Sequence, residues 1–302
     1  MTHTLDAIQT AVLLPWVELV DEIALLLQDG SVKVPPRLVQ ALGQGASLFV
    51  MPAADSRIAI TKLITFTPAN AGTCRPTIQG DVIVFDIATG QRRLVLDGPT
   101  VTARRTAAVS VLAAKRMAHN ILGPLLIVGA GVQGKAHIEA FAAVLGTRQV
   151  MIASRSAQSA DKLAQYAKSL GLKAQVVVNA DAALADCPLA VTCTPASSIV
   201  LSATPRKDAF ICAVGAFTRD MAELSNGLCR HFADNGTVWL DTTDAQHEAG
   251  DLLQAGLSLQ AMATLGDMVR QNTAKPEGCV LFKSCGWAGW DLAAARVAFR
   301  HA

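Results

Sequence analysis

The sequence predicts an α/β protein in which a doubly wound parallel sheet is combined with a smaller α+β domain. From about residue 125 onward, short apolar strands alternate with helical segments, which is typical of a parallel sheet covered on both faces. Between Leu48 and Leu96, strand-like runs follow one another with only short turns between them, which indicates a mostly antiparallel sheet. The length of 302 residues agrees with two domains.

In the first part of the chain, a helix is predicted over Trp16–Gln28 because apolar and acidic residues separate onto opposite faces. Its apolar face comprises Val17, Val20, Ile23, Ala24 and Leu27, and its acidic face comprises Glu18, Asp21 and Glu22. Asp29-Gly30 ends it. The predicted strands are the runs SLFVMP, RIAITKLITF, IQGDVIVFD and RRLVLD, with turns at Pro52–Ser56, Pro68–Gly72 and Ala88–Gly90. An alanine-rich helix is expected over Val101–Asn120.

In the second part, alternating strands and helices are predicted. The strands are Leu125–Val128, Gln149–Ala153, Ala174–Val178, Leu189–Cys193, Ala209–Val214 and Thr237–Leu240. The helices are Val132–Val144, Ala160–Leu170 and Met221–Leu228, with a last helix over Trp290–Ala302.

Composition excludes several classes of protein. With 51% hydrophobic and 17% charged residues, the chain is too apolar to be disordered, and no run of about 18 apolar residues predicts a membrane helix. Its first fifteen residues lack a basic start and contain Asp6, unlike a secretory signal. A net charge of +2 and an aromatic content of 5% argue against nucleic acid as a partner. Seven cysteines without a CxxC pair predict reduced thiols in a cytoplasmic protein and no metal site.

A phosphate-binding turn is predicted where the chain reads PLLIVGAGVQGK, from residue 124 to residue 135. Gly129, Gly131 and Gly134 form a GxGxxG motif between an apolar strand and a helix, which is the context of a Rossmann dinucleotide site. Gly129 permits the tight turn, Gly131 lets the backbone approach a pyrophosphate, and Gly134 lets the helix pack closely on the strand. Amides at the start of the helix then face the anion.

The end of the second strand of this domain indicates the cofactor. NAD sites place Asp or Glu there to bind the ribose hydroxyls, whereas this chain reads Ser154-Arg155-Ser156. A guanidinium flanked by hydroxyls suits a 2′-phosphate. We therefore expect NADPH to be preferred, with NADH possible.

Three cations in the first domain suggest an anion site. Arg37 follows two prolines that fix its direction, Lys62 lies inside an apolar strand-like run, and Arg105 lies in the alanine-rich helix. An inward-pointing lysine needs an anionic partner, and the mutual repulsion of three converging cations requires one as well. A substrate carboxylate is one candidate, and ordinary surface positions are the alternative.

Several segments in order along the chain match one known family. They are Pro36-Arg37, Lys62 with Asn70, Pro76–Gly80, Thr102–Ala108, Gly129–Gly134, Thr192–Pro195, Val214-Gly215, Glu248–Asp251 and Phe282–Ala288. With them the chain resembles the ornithine cyclodeaminase/μ-crystallin family along nearly its whole length.

The resemblance implies a homodimer. Its substrate-binding and dimerisation domain would comprise residues 1–115 and 285–302, and its NADP-binding Rossmann domain residues 116–284. The resemblance also implies that Arg37, Lys62 and Arg105 bind an α-carboxylate beside the nicotinamide, with Lys62 and Arg105 as the catalytic residues. The positions that match family residues near the cofactor are Thr77, Arg105, Val132, Gln133, Thr194, Val214 and Ser284.

One family feature is displaced in this chain. Family cyclodeaminases carry an aspartate six residues before a Glu-Leu pair, where it serves the chemistry that expels ammonia. Here the pair is Glu223-Leu224 and the sixth residue before it is Phe217. Asp220 is shifted by three residues and is expected to cap a helix that begins at Met221. The segment is more similar to the family's ketimine reductases and μ-crystallin.

The sequence therefore favours an NAD(P)H-dependent reductase of cyclic ketimine carboxylates. It would convert Δ1-pyrroline-2-carboxylate to L-proline and Δ1-piperideine-2-carboxylate to L-pipecolate by hydride transfer to the imine carbon. The alternatives are an ornithine cyclodeaminase or alanine dehydrogenase of the same family, or a non-enzymatic NADPH-dependent ligand-binding protein. Lys62 either stays on the substrate carboxylate or acts through water as the proton donor, and the sequence leaves this choice open.

Overall fold

The computed structural model describes residues 2–70, 72–195 and 198–302. The chain divides into two compact units, of which the first comprises Met1–Arg105 and Trp287–Ala302 and the second comprises Thr106–Gly286. In sequence, the second unit is thus inserted between the two segments of the first. Among the described residues, we find no helix with the length and apolar character needed to cross a membrane.

The first unit is built on one sheet. Its strands are β1 (His3–Thr4), β2 (Leu38–Gly43), β3 (Ala46–Ala54), β4 (Ile58–Phe66), β5 (Ile78–Asp86) and β6 (Arg92–Asp97). Its first helices are α1 (Ala7–Val12) and α2 (Trp16–Leu26). Helix α3 (Gly98–Met117) begins in the first unit and ends in the second, since the units divide after Arg105. The strand order is β1-β6-β5-β4-β3-β2, and the pairs are antiparallel except for β1 with β6. The predicted, mostly antiparallel sheet is confirmed.

The second unit contains the predicted parallel sheet. Its strands are β7 (Leu125–Val128), β8 (Gln149–Ala153), β9 (Lys173–Val176), β10 (Leu189–Thr192), β11 (Phe210–Ala213), β12 (Gly236–Leu240) and β13 (Cys279–Lys283). Its helices are α4 (Val132–Ala140), α5 (Ala157–Ser169), α6 (Ala180–Leu184), α7 (Asn226–Asn235), α8 (Gly250–Gln254) and α9 (Leu265–Gln271). All strand pairs are parallel in the order β12-β13-β11-β10-β7-β8-β9. The doubly wound architecture is confirmed.

The last helix, α10 (Ala288–His301), returns to the first unit and is tied there by ion pairs. Arg296 binds Glu22, Asp29 and Asp55, with its Nε 2.5 Å from Asp55 Oδ2. Arg300 binds the other oxygen of Glu22. Glu22 was predicted on the acidic face of α2, opposite its apolar face, but it is buried, with only 3% of its surface exposed.

Three further local predictions need correction. Val17, placed on the apolar face of α2, is 53% exposed. Pro52 lies within β3 opposite Thr61. The turn begins only at Asp55, whose Oδ1 accepts hydrogen bonds from the amides of Arg57 and Ile58. Strands β2 and β13 were not predicted, although every residue of β13 is buried between β11 and β12.

The helix predicted over Met221–Leu228 is wrong. The backbone amides of Glu223 and Leu224 donate instead to Asp251 Oδ1, at 2.6 and 2.9 Å. Leu224 also forms a bridge with Leu201, which keeps this segment extended. Helix α7 begins only after Ser225, whose hydroxyl caps it. The expected helix cap by Asp220 is therefore wrong as well.

Candidate active site

The predicted cofactor residues of the second unit lie along one edge of its sheet. In a parallel sheet the carboxyl ends of the strands meet at the same edge, and ligands bind where the strand order reverses. Here the order reverses between β7 and β10. Each predicted cofactor segment directly follows a strand of this sheet. The segments are Gly129–Gly134 after β7, Ser154–Ser156 after β8, Thr194 after β10, Val214 after β11 and Ser284 after β13.

The glycine turn after β7 has the geometry that a pyrophosphate site requires. Gly129 has a φ of +123°, and a Cβ there would lie 2.7 Å from the carbonyl oxygen of Cys193. A Cβ at Gly134 would overlap the carbonyl oxygen of Gly129. A Cβ at Gly131 meets no heavy atom within 4 Å, so a ligand can approach the backbone there. The turn leads directly into α4, whose first amides and positive end favour an anion. A dinucleotide pyrophosphate therefore fits these residues.

The first turn of α4 carries the other two predicted residues of this motif. Val132 is 71% exposed, and the carbonyl oxygen of Gln133 accepts a hydrogen bond from His137 Nδ1 at 2.7 Å. The other ring nitrogen of His137 lies 2.9 Å from Ser110 Oγ. Burial lowers the pKa of His137 to about 4, so the ring is neutral at physiological pH.

The three residues predicted to select NADPH lie between β8 and α5. Ser156 is the N-cap of α5, where its Oγ accepts a hydrogen bond from Ser159 N at 3.2 Å. The amide of Ser156 donates to Ser154 Oγ at 3.3 Å. Arg155 is exposed between them. Arg155, the two serines and the N-terminus of a 13-residue helix are thus adjacent along the chain.

A buried carboxylate, Glu223, supports two of these loops, a role that was not predicted from the sequence. Glu223 Oε1 accepts hydrogen bonds from Thr194 N and Thr194 Oγ1 at 2.6 and 2.8 Å. Its Oε2 accepts from Gly215 N and Thr192 Oγ1 at 2.7 and 2.9 Å. Burial raises the pKa of Glu223, which the donated hydrogen bonds oppose. Glu223 therefore joins the loops that follow β10 and β11.

Two more buried acids, Asp251 and Asp241, bind residues at the end of β13. Asp251 Oδ2 lies 2.6 Å from Lys283 Nζ, and both side chains are fully buried. Burial opposes the charge of Lys283, but Asp251 outweighs it and raises the pKa of the lysine. Asp241 Oδ2 accepts hydrogen bonds from Ser284 Oγ and from the amides of Cys285 and Gly286, at 2.8 to 3.0 Å. Acidic residues among apolar neighbours were the signal that could have identified these acids.

In the first unit, two of the three predicted cations meet at Asp291. Asp291 Oδ1 lies 3.1 Å from Lys62 Nζ and 3.3 Å from Arg105 Nε, and all three side chains are buried. They come from three elements, β4, α3 and the first turn of α10. The chain itself thus supplies one anion for the cations, in addition to any that a substrate brings.

The remaining predicted residues of the first unit are half-buried. Arg37 precedes β2, and its charge is among those that act on Lys62. Thr77 lies directly before β5, and its carbonyl oxygen accepts a hydrogen bond from Thr67 N at 2.8 Å.

Lys62 has unusual electrostatics for a lysine. Burial lowers its pKa, Asp291 raises it, and Arg105 and Arg37 lower it again, so that the pKa is about 8. Lys62 is therefore protonated at neutral pH but close to its titration. Such a group can both bind a carboxylate and exchange a proton.

The described residues contain no group of three or more His, Cys, Asp or Glu that could hold a metal ion. The seven cysteines are free thiols, of which Cys74 is exposed and Cys193 is partly exposed.

The fold and the glycine turn of the second unit define a Rossmann-type protein of the dinucleotide-binding class. Its first unit carries a buried cation cluster, formed by Lys62 and Arg105 around Asp291. The chain belongs to the ornithine cyclodeaminase/mu-crystallin family, whose model matches residues 7–302. The predicted family is confirmed.

Named relatives and a solved structure agree with this assignment. The chain is 37% identical over 301 residues to Delta(1)-pyrroline-2-carboxylate reductase 1 of Burkholderia multivorans, covering 98% of this chain and 95% of the relative. It is 35% identical over 296 residues to Delta(1)-pyrroline-2-carboxylate/Delta(1)-piperideine-2-carboxylate reductase of Azospirillum brasilense, covering 97% and 94%. The structure of Thermococcus litoralis Delta(1)-pyrroline-2-carboxylate reductase in complex with NADH and L-proline has the same fold, with a TM-score of 0.87, 23% identity and coverage of 95% and 93%.

Proposed function

We propose that this protein is an NAD(P)H-dependent imine reductase that acts on cyclic ketimine carboxylates. Its substrates are Δ1-pyrroline-2-carboxylate, reduced to L-proline, and Δ1-piperideine-2-carboxylate, reduced to L-pipecolate. Relatives that match nearly the whole chain are named for these reductions. The observation that carries the proposal is the buried group of Lys62, Arg105 and Asp291, which combines carboxylate-binding cations with a lysine close to its titration.

The residues that hold the cofactor follow from the loops described above. Amides of the glycine turn and of the first turn of α4 bind the pyrophosphate, with Val132 and Gln133 beside it. Ser154, Arg155 and Ser156 bind the 2′-phosphate of NADPH. Thr194, Val214 and Ser284, which follow β10, β11 and β13, would hold the nicotinamide half of the cofactor. The family resemblance also assigns Thr77 and Arg105 to the cofactor. When bound, NADPH supplies the hydride for C2 of the imine.

The substrate carboxylate is bound by Arg37, Lys62 and Arg105. Arg105 faces Asp291 through Nε, and its two Nη groups would donate parallel hydrogen bonds to a planar carboxylate. Fixing the carboxylate holds the ring in one orientation, so that proximity and orientation account for most of the rate.

We infer that the protein is a homodimer that forms through the outer face of the first sheet. Leu38, Val50 and Leu63 are cross-strand neighbours on β2, β3 and β4, and Leu38 and Leu63 are 55% and 41% exposed. On β5, the exposed Asp81 lies opposite Leu63, and Ile83 is the next residue on the same face. The free cysteines favour a cytoplasmic location.

The test is a nicotinamide absorbance assay of the purified protein with NADPH and each cyclic imine. We expect turnover of both imines, and Lys62→Ala and Arg105→Ala should each lose roughly 30- to 1000-fold in kcat/KM, or about 2–4 kcal/mol. Lys33→Ala is the matched control, since Lys33 is an exposed lysine of the same unit. Near-normal turnover by Lys62→Ala would show that the substrate site has been assigned to the wrong residues. Ammonia release from ornithine with NAD would identify a cyclodeaminase instead.

A further inference from the structure

Asp291 lies at the centre of the cation cluster, and its role was not predicted from the sequence. Its Oδ1 accepts a hydrogen bond from Lys62 Nζ at 3.1 Å and pairs with Arg105 Nε at 3.3 Å. Its Oδ2 is buried and, within the residues that the structure describes, accepts no hydrogen bond. The main partners of this carboxylate are therefore the two cations, Lys62 and Arg105.

The surroundings of Lys62 make it dependent on that charge. Its cross-strand neighbours are Met51 on β3 and Val82 on β5, which are apolar and buried. The cations that face it are Arg105 from α3 and Arg37 from the segment before β2, and both disfavour a charged lysine. Asp291, from α10, is the group that favours it. Without this carboxylate, burial and the two arginines would drive Lys62 towards the neutral amine.

We propose that Asp291 is the positioning residue for proton transfer in this site, because it holds Lys62 in place and in its charged form. The inference rests on the function proposed above and assigns Lys62 as the proton donor to the imine nitrogen. In this step an Nζ–H bond of Lys62 breaks and an N–H bond forms on the imine nitrogen. Lys62 is left as a neutral amine, and the substrate becomes the iminium cation whose C2 accepts the hydride. Water then returns a proton to Lys62.

Asp291 also removes an electrostatic conflict in the site. An iminium cation beside Lys62, Arg105 and Arg37 would be repelled if the cations had no internal counter-charge. The Asp291 carboxylate lies beside both Lys62 and Arg105, so its negative charge offsets the positive charge as that charge moves from Lys62 to the substrate.

The test is Asp291→Asn, which keeps the shape and one oxygen that can accept from Lys62 but removes the charge. We expect the pKa of Lys62 to fall by about one unit or more, because an opposite charge at this distance has gone. In a pH profile of kcat/KM, the basic limb should move down by the same amount. The variant should then lose about five times more activity at pH 8 than at pH 6 relative to the wild type, because at pH 8 about half of Lys62 is protonated in the wild type and about one tenth in the variant. Titration of the free imine is the same for both proteins and cancels in the comparison.

A second measurement does not depend on activity. NMR titration of protein with ¹³C-labelled lysine, with the Lys62 signal identified from Lys62→Arg, should show an inflection near pH 8 in the wild type. In Asp291→Asn the inflection should lie about one unit lower. Asp55→Asn is the matched control, because it makes the same change at a buried carboxylate of the same unit that binds Arg296. It should lower stability and leave both the basic limb and the NMR inflection unchanged.

A uniform loss of activity at every pH, with an unmoved Lys62 inflection, would overturn the proposal and leave Asp291 a purely structural role. Wild-type activity with an unmoved basic limb would overturn it too. If the wild-type protein reduces neither imine, the proton-transfer step fails together with the proposed function. In that case a shifted NMR inflection would still show that Asp291 raises the pKa of Lys62. The two failures are therefore distinguishable.

Discussion

Arg155→Ala is expected to weaken NADPH binding strongly and to leave NADH binding nearly unchanged. Arg155 is exposed between β8 and α5, so its removal opens no cavity, and the cap at Ser156 stays in place. A charge-assisted hydrogen bond contributes roughly 1.5–3 kcal/mol. Since about 1.4 kcal/mol corresponds to a tenfold change, the NADPH Kd should rise roughly ten- to 150-fold. NADH has no 2′-phosphate and loses nothing.

Isothermal titration with each cofactor, together with KM for each, measures this effect. Arg148→Ala is the matched control, because Arg148 is an exposed arginine directly before the amino end of the same strand, β8. It should bind both cofactors like the wild type. Equal losses for NADPH and NADH in Arg155→Ala, or no loss for either, would refute contact between Arg155 and the phosphate.

Two further predictions concern stability and assembly. His137 is buried and neutral, with a pKa lowered from 6.5 to about 4, so the unfolded chain takes up its proton first as the pH falls. Stability that is present above pH 6.5 should therefore decrease by about 3 kcal/mol towards pH 4. Urea unfolding of His137→Gln should show a flatter pH dependence in that window, and an unchanged slope would contradict this. Sedimentation at micromolar concentration should give about twice 31.6 kDa, and Leu63→Lys should give a monomer. A fully active wild-type monomer would exclude the dimer.

Local patterns predicted the parts of the fold that local sequence determines. The bounds of β7 and β8 agree with the prediction because short, mostly apolar runs between turn residues form largely buried parallel strands. The glycine turn was predictable for the same reason, since Gly129, Gly131 and Gly134 act on backbone within a few residues of themselves.

Long-range partners account for what the sequence did not predict. Lys62 meets Asp291 across 229 residues of sequence, and no window around either residue contains the other. The wrong helix at Met221–Leu228 has a similar cause. Its first half, Met221–Leu224, has helical preferences, but the amides of Glu223 and Leu224 are bound by Asp251, 28 and 27 residues further along. Tertiary hydrogen bonds therefore override local preference here.

The ties of α10 to the first unit have a consequence for how the protein is synthesised. Glu22 and Asp55 require Arg296, and Lys62 requires Asp291, yet about 180 residues of the second unit are translated between these partners. At ribosomal speeds that takes roughly ten to forty seconds. Throughout this interval the nascent first unit carries acids and a lysine whose counter-charges do not yet exist. The second unit is contiguous in sequence and can fold as it leaves the ribosome, whereas the unit translated first is the last to be completed.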